Sequence, residues 1–293
     1  MRGQSASLTW QVFVAPAVPV WTKDDVPPGS ERRMFSPVSA TLITGQRDAV
    51  LVDTLMTVDQ TRALGDWIAA TGKSLTTIYL THGHGDHVFG IGALQKRFPA
   101  ARAVALPAVI EFMRRQLEPE SLDGFWKRRF PGQIPDDLGT AEPVLEGVPQ
   151  LEGHDLVPVW LGHTDTDDTT CLHVPSIGLV VAGDAAYNDV HLLLSQSNPK
   201  LRREWIAALD TIESLNPAAV IAGHKRADRA DDPVIVEETR QYIRDFDRLA
   251  DSTSTAQELY EQMLELYPDR INPGALWTSV RAVKPEPHRG ETA

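Results

Sequence analysis

His82-Gly83-His84-Gly85-Asp86-His87 sets four metal-competent side chains within six residues. The run leaves the apolar segment Thr76–Leu80, which reads as a strand. Residues two apart in an extended chain project to the same side, so His82 and His84 can grip one ion. Asp86 and His87 follow a glycine that lets the chain turn, and so can face a second ion nearby. Neutral imidazole and carboxylate suit zinc and its neighbours Mn2+, Fe2+ and Co2+, whereas calcium or magnesium sites are oxygen-rich. A Cβ at Gly83 or Gly85 is expected to crowd backbone packed against the metals.

Two sites need donors from elsewhere in the chain. His163 follows Val157–Leu161, Asp184 follows Leu179–Ala182 and His224 follows Val220–Ala222, each with glycine immediately before it. Taken singly, each histidine reads equally as a hydrogen-bonded structural residue. Taken with the six-residue run, they point to a dinuclear centre. Two cations about 3.5–4 Å apart can share a water, lower its pKa and present hydroxide to a carbonyl or phosphoryl centre. Asp53 ends the apolar run Ala49–Val52 and reads either as an acceptor orienting a ligand imidazole or as a cap for Thr54–Thr57.

The elements carrying these residues alternate. Val38–Thr44 and Ala49–Asp53 read as strands, Thr57–Ala70 as a helix, Thr76–Leu80 as a strand, Phe89–Arg97 as a helix and Ala101–Leu106 as a strand. That order implies sheet layered with helices. Residues 108–136 look like an amphipathic helical insertion with Phe112, Phe125, Trp126 and Phe130 among Arg114, Arg115, Lys127, Arg128 and Arg129. Its aromatics read as a wall over the metals or as core, and its cations as a solvated helix face. Strands are expected at Glu142–Leu145, Asp155–Leu161, Thr170–Val174, Gly178–Ala182 and Ala219–Ala222, with helices at Arg202–Leu215, Pro233–Leu249 and Ala256–Leu266. The charge-rich tail after Val283 is expected to fray.

The THGHGDH run, followed by GH at His163, GD at Asp184 and GH at His224, resembles the metallo-β-lactamase superfamily of hydrolases over roughly residues 38 to 226. The resemblance implies an α/β fold, an αβ/βα four-layer sandwich, here with a C-terminal helical extension. The division expected is an arm over 1–37, the metallo-β-lactamase-like domain over 38–232 and a helical extension and tail over 233–293. It also implies two zinc ions per chain: His82, His84 and His163 on the first, Asp86, His87 and His224 on the second, with Asp184 bridging. Histidine at position 84 speaks against the family's flavodiiron oxygen reductases. The short Asp184–His224 spacing speaks against its nucleic-acid-cleaving branch.

Where many members carry a glycine-containing turn and a second histidine after the third ligand, this chain has Thr164-Asp165-Thr166-Asp167-Asp168. These carboxylates read as hydrogen-bond partners of the metal centre, as a barrier to anionic substrates, or as a self-capping turn. The departure weakens any likeness to glyoxalase II. Tyr187, three residues beyond Asp184, stands at the offset where the family's quorum-quenching lactonases carry a tyrosine that contacts the substrate, so it is expected to donate to a developing oxyanion or else to pack. His191 reads as a pocket residue or a loop residue. With Asp86 and Asp184 as the other catalytic residues, the expected activity is opening of a lactone or ester in a small, largely apolar substrate. Hydrolysis of β-lactams, thioesters or phosphotriesters and iron-dependent persulfide dioxygenation are the alternatives.

Composition narrows the partners. The 293 residues hold 28 Lys+Arg against 40 Asp+Glu, a formal net charge of -12, which argues against nucleic acid and anionic membrane. No apolar run approaches the roughly 20 residues of a membrane span. Cys171 is the sole cysteine, so neither a disulfide framework nor a thiolate cluster is available. The segment Leu8–Trp21 is apolar but broken by Gln11, Pro16 and Pro19; the alternation of Trp10, Val12 and Val14 suits an edge strand better than a secretory signal, which implies a cytoplasmic protein. The same arm is a candidate to cover a second copy in a homodimer.

Overall fold

A computed structural model describes residues 7–23, 25–144 and 149–285. The alternation in the arm is used within its own chain. Strand β1 (Thr9–Ala15) is the edge of a six-stranded sheet and pairs antiparallel with β2 (Val38–Thr44). The sheet continues through β3 (Asp48–Val52), β4 (Ser74–Tyr79), β5 (Arg102–Ala105) and the short β6 (Glu142–Pro143). From β3 onward the pairing is parallel, with helices α1 (Val58–Ala70), α2 (Gly85–Val88) and α3 (Ile91–Arg97) in the crossovers. Thr57 caps α1 through a capping box with Gln60, so Asp53 is free of that duty. The second sheet orders β7 (Val157–Gly162), β8 (Thr169–Val174), β9 (Leu179–Asn188) and β10 (Ala219–Lys225).

The period of two along each strand divides the apolar residues among three cores. Ile43, Val50, Val52 and Tyr79 of the first sheet meet Leu172, Val181 and Ile221 of the second, forming the seam between sheets. Leu42, Leu51 and Ile78 point outward beneath α1 and α3. Val180 and Val220 point outward on the other side beneath α5 (Pro199–Ser214), α6 (Val234–Ser252), α7 (Ala256–Leu266) and α8 (Pro273–Val283). Helix α4 (Pro107–Gln116) opens the insertion between β5 and β6. This gives the expected αβ/βα layering. Helix α8 is an element that the pattern reading did not separate from the tail. Leu145 and residues 286–293, part of the expected strand and the expected frayed end, lie outside the described residues.

Hydrogen bonds lace the two sheets at the edge where the histidine run emerges. Ser39 Oγ donates to the Ala222 carbonyl at 2.6 Å, and Thr170 donates to the Thr81 carbonyl from both its amide (2.9 Å) and its hydroxyl (2.7 Å). Tyr79 and Thr170 share a further hydroxyl bond at 2.8 Å. Strands β9 and β10 run further than the apolar pattern suggests, because irregular pairing on either side of Gly183 (φ +54°) accommodates Gly183-Asp184 without ending the ladder. Asp184 and His224 therefore stand within strands, not beyond them.

Trp205 anchors the outer core: it is fully buried and its indole donates to the Ala185 carbonyl at 2.8 Å, next to Asp184 in the chain. Trp205→Ala is expected to cost about 3–5 kcal/mol, read as a lower urea midpoint in equilibrium unfolding.

Candidate metal centre

The histidine run leaves β4 and turns at once into α2, with His84 at the helix N-cap in an extended conformation. The turn is tight for a reason different from the one expected. A Cβ on Gly83 would meet Phe112 at 2.6 Å and the Met113 backbone nitrogen at 2.8 Å, and one on Gly85 would meet Phe89 and Trp126. The glycines thus admit α4 and the rest of the insertion against the run. Gly223 is the position where a side chain would fill the centre itself, since its Cβ would lie 2.1 Å from Asp184 Oδ1.

Each imidazole is held through the nitrogen that faces away from the centre. His87 Nδ1 lies 3.1 Å from Asp53 Oδ2. His224 Nδ1 donates to the Pro37 carbonyl at 2.7 Å. His163 Nδ1 is 2.7 Å from Asp167 Oδ1. His82 Nδ1 is 3.0 Å from Thr81 Oγ1, which itself donates to Asp53 Oδ2 at 2.8 Å. His84 is turned the other way round, with Nε2 3.4 Å from Gln196 Nε2. Such outer partners fix tautomer and ring direction, which is what metal ligation requires. Asp53, at φ +60°, serves two of the five imidazoles and also accepts from the Thr81 amide.

The inward atoms are buried and short of partners. His82 Nε2, His87 Nε2, His163 Nε2, Asp165 Oδ2 and Asp184 Oδ1 have no aligned hydrogen bond, although His87 faces Asp184 at 3.2 Å and Asp165 faces His84 at 2.9 Å as ion pairs. Buried polar atoms are ordinarily satisfied, so five together mark a place for cations. Donor atoms within 4.8 Å of one another form three groups: His82, His84, Asp165 and Asp184; Asp86, His87 and His224; and Asp53, His82 and His87. Asp184 spans the first two, with Oδ1 3.2 Å from His87 Nε2 and Oδ2 3.1 Å from His224 Nε2. His163 belongs to none of these groups. The chemistry of the donors fits divalent cations.

Burial alone would lower the pKa of His87, yet Asp184 and Asp86 raise it well above the usual value. Burial is likewise outweighed at His84, raised by Asp165, and at His224, raised by Asp184. Conversely, burial would raise the Asp184 carboxyl, but His224 and His87 hold it well below the carboxylate range. His84, His87 and His224 thus hold a proton more readily than free imidazole, whereas burial and the neighbouring His87 push His82 the other way.

A cleft of about 510 Å3 opens on the centre. His84, Asp86, Asp184 and His224 reach it, while Phe35, Phe125, Trp126 and Leu193 supply apolar wall and Arg115, Glu118 and Glu120 add charge. The insertion's aromatics divide: Phe125 and Trp126 face the cleft, Phe112 packs edge-on to His84 at 5.5 Å, and Phe130 is core. Lys127 and Arg114 pair with Asp123 and Glu111 on the exposed helix face. Tyr187 does not line the cleft. Its ring is buried beside His224 and Trp205, and its hydroxyl donates to Asp184 Oδ2 at 3.3 Å. His191 is also away from the cleft, 2.9 Å from the Tyr242 hydroxyl, and burial pushes its pKa down to about 3.

Asp165 and Asp167 are the residues that sequence reading weighed too lightly. Within the chain they look like a self-capping turn, and only the fold brings them against His84 and His163.

A sequence model of the metallo-beta-lactamase superfamily matches residues 33–224. No curated protein matches. Among solved structures the fold is similar to a metallo-beta-lactamase family protein from Thermus thermophilus (TM-score 0.63, 21% identity, covering 93% of this chain and 91% of that one). It is similar also to metallo-beta-lactamases from Pontibacter korlensis (0.57, 14%, 80% and 99%) and Hirschia baltica (0.56, 16%, 81% and 93%). At such identities the likeness speaks for the fold. Among the described residues no helix is long and apolar enough to cross a membrane.

Two outcomes are expected. Asp53→Asn should weaken divalent-metal affinity about 10–100-fold while far-UV circular dichroism is unchanged. Because protons on the raised imidazoles must leave before an ion binds, affinity should fall steeply as pH drops below neutrality, measured by chelator competition.

Proposed function

The chain belongs to the metallo-beta-lactamase superfamily, and on that footing we propose that it is a dinuclear zinc-dependent hydrolase opening a lactone or ester in a small, largely apolar substrate. The observation that carries this reading is the set of partnerless buried donors beside a cleft that His84, Asp86, Asp184 and His224 reach and that Phe35, Phe125, Trp126 and Leu193 wall on one side. His82, His84, His163 and Asp184 would hold one ion, and Asp86, His87 and His224 the other, with Asp184 common to both. Bound there, two divalent cations supply an activated water and polarise the bond to be broken.

The chain's own residues do the rest. Phe35, Phe125, Trp126 and Leu193 exclude water around an apolar acyl or alkyl group. Trp126 is oriented by its indole donation to Gln116 Oε1 at 2.9 Å. Asp86 reaches the cleft, with Oδ2 3.4 Å from both His87 and His224, and is the carboxylate placed to take a proton from water. Tyr187 acts through Asp184: its hydroxyl steadies the oxygen that faces His224, so it positions a ligand instead of touching substrate.

Purified protein is expected to carry two equivalents of zinc and to hydrolyse members of a panel of lactones, aryl esters, thioesters, β-lactams and phosphotriesters, lactones or esters fastest. One iron per chain with no hydrolysis would overturn the reading. Asp184→Asn should lose metal and turnover together. Tyr187→Phe should lower turnover on every substrate alike; a loss confined to lactones would instead mean direct contact with substrate.

A further inference from the structure

The cleft wall borrows one of its rings from the N-terminal arm. We infer that Asp25, which does not itself line the cleft, is a positioning residue for substrate: it clasps the arm to the insertion and so holds Phe35 and Trp126 in one wall. The inference rests on the reading of this cleft as the substrate site and assigns what shapes it.

Phe35 lines the cleft with its ring 6.1 Å from Trp126, 5.4 Å from Phe130 and 6.3 Å from His224. It closes a loop of the arm, since Val18 pairs with Phe35 and Pro19 with Met34 in a two-residue antiparallel ribbon. Two residues further on, the Pro37 carbonyl accepts from His224. The arm thus reaches both the apolar wall and the metal centre.

Asp25 stands within that loop and gathers three guanidiniums from three parts of the chain. Its Oδ2 is 2.6 Å from Arg33 Nη1 in the arm and 3.5 Å from Arg129 Nη2 in the insertion. Its Oδ1 is 3.2 Å from Arg281 Nη1 in α8. Among the described residues each of these arginines has Asp25 as its one ion-pair partner. The Arg33 side chain is 8% exposed and that of Asp25 21%, so the node is shielded from much of the solvent that weakens surface pairs. Burial lowers the Arg33 pKa, Asp25 raises it, and the charges of Arg129 and Arg281 lower it again.

The three attachments are not equally backed up. Arg33 also donates to the Gly274 carbonyl at 3.0 Å and to Thr278 Oγ1 at 2.5 Å, so the arm stays on α8 without Asp25. The insertion is joined to the arm by the Asp25–Arg129 pair, by the Trp21 amide on the Arg129 carbonyl at 2.8 Å and by the rings around Phe35. Without the Asp25 charge, three like charges face one another, and the insertion is the side that yields. Phe125 and Trp126 would then draw away from Phe35, and the cleft would hold an apolar group less well.

The test uses full-length, metal-loaded protein carrying fluorotryptophan, with the Trp126 fluorine signal assigned by its absence in Trp126→Phe. Asp25→Asn should shift or broaden that signal and keep the wild-type metal content. It should also raise KM for an uncharged aryl ester about fivefold with kcat nearly unchanged. Arg129→Gln should do the same, and the two changes together should do little more than either alone. Asp25→Glu should recover much of the wild-type KM. A wild-type Trp126 signal and KM in Asp25→Asn would overturn the inference. So would a lower kcat at unchanged KM, which is the mark of a smaller folded fraction. If Asp25→Asn does not fold, Arg129→Gln decides by the same two readings. Absence of hydrolysis on any ester would sink the proposed function, and the Trp126 signal would still decide whether Asp25 sets the wall.

Discussion

Three carboxylates, Asp86, Asp165 and Asp184, are each at most 3% exposed and stand among the histidines at one edge of the two sheets. Burying a single unpaired carboxylate is costly, and burying three near one another demands that positive charge be supplied. Much of the surrounding architecture answers that demand. Imidazoles arrive from the loop after β4 and from β10, and each is aimed by a partner behind it. The sheets are laced by Ser39, Tyr79 and Thr170 at the same edge, so donors from separate strands keep their spacing. Charge balance and fold are thus solved by one set of contacts.

Asp53 shows how economically this is done. One side chain orients His87, reaches His82 through the Thr81 hydroxyl and accepts the Thr81 amide. Its positive φ is tolerable because the peptide on its N-terminal side is tied down: the Asp53 amide donates to the Tyr79 carbonyl at 2.8 Å, extending the β3–β4 ladder into the turn. A strand-end aspartate that looks interchangeable with a helix cap is in this fold the common support of His82 and His87.

How much of this was legible in the sequence depended on range. The run from His82 to His87 announces itself because its periodicity and residue types are local, and His163, Asp184 and His224 because each follows an apolar run. The layered sandwich follows from the same runs, read with the family likeness. Asp165 and Asp167 did not stand out, since a Thr/Asp turn has the same composition whether it caps itself or faces a metal; the difference lies in β7 and β8 carrying it against α2. The division of the insertion's aromatics into cleft wall and core was hidden likewise, because amphipathic spacing says which face is apolar and not what will cover it. The extension of β9 past Gly183 was missed because irregular pairing is a property of two strands.

The contact of Phe112 and the Met113 backbone with Gly83 has a bearing on how such a protein can diversify. In many enzymes the loops that recognise substrate can be exchanged while the catalytic frame is left alone. Here the segment that supplies part of the cleft wall is seated, without a gap, on the backbone that carries two imidazoles. A transplanted insertion that lacks the same seat would tilt the ligand run along with the wall, so recognition and metal affinity are inherited together and must change together.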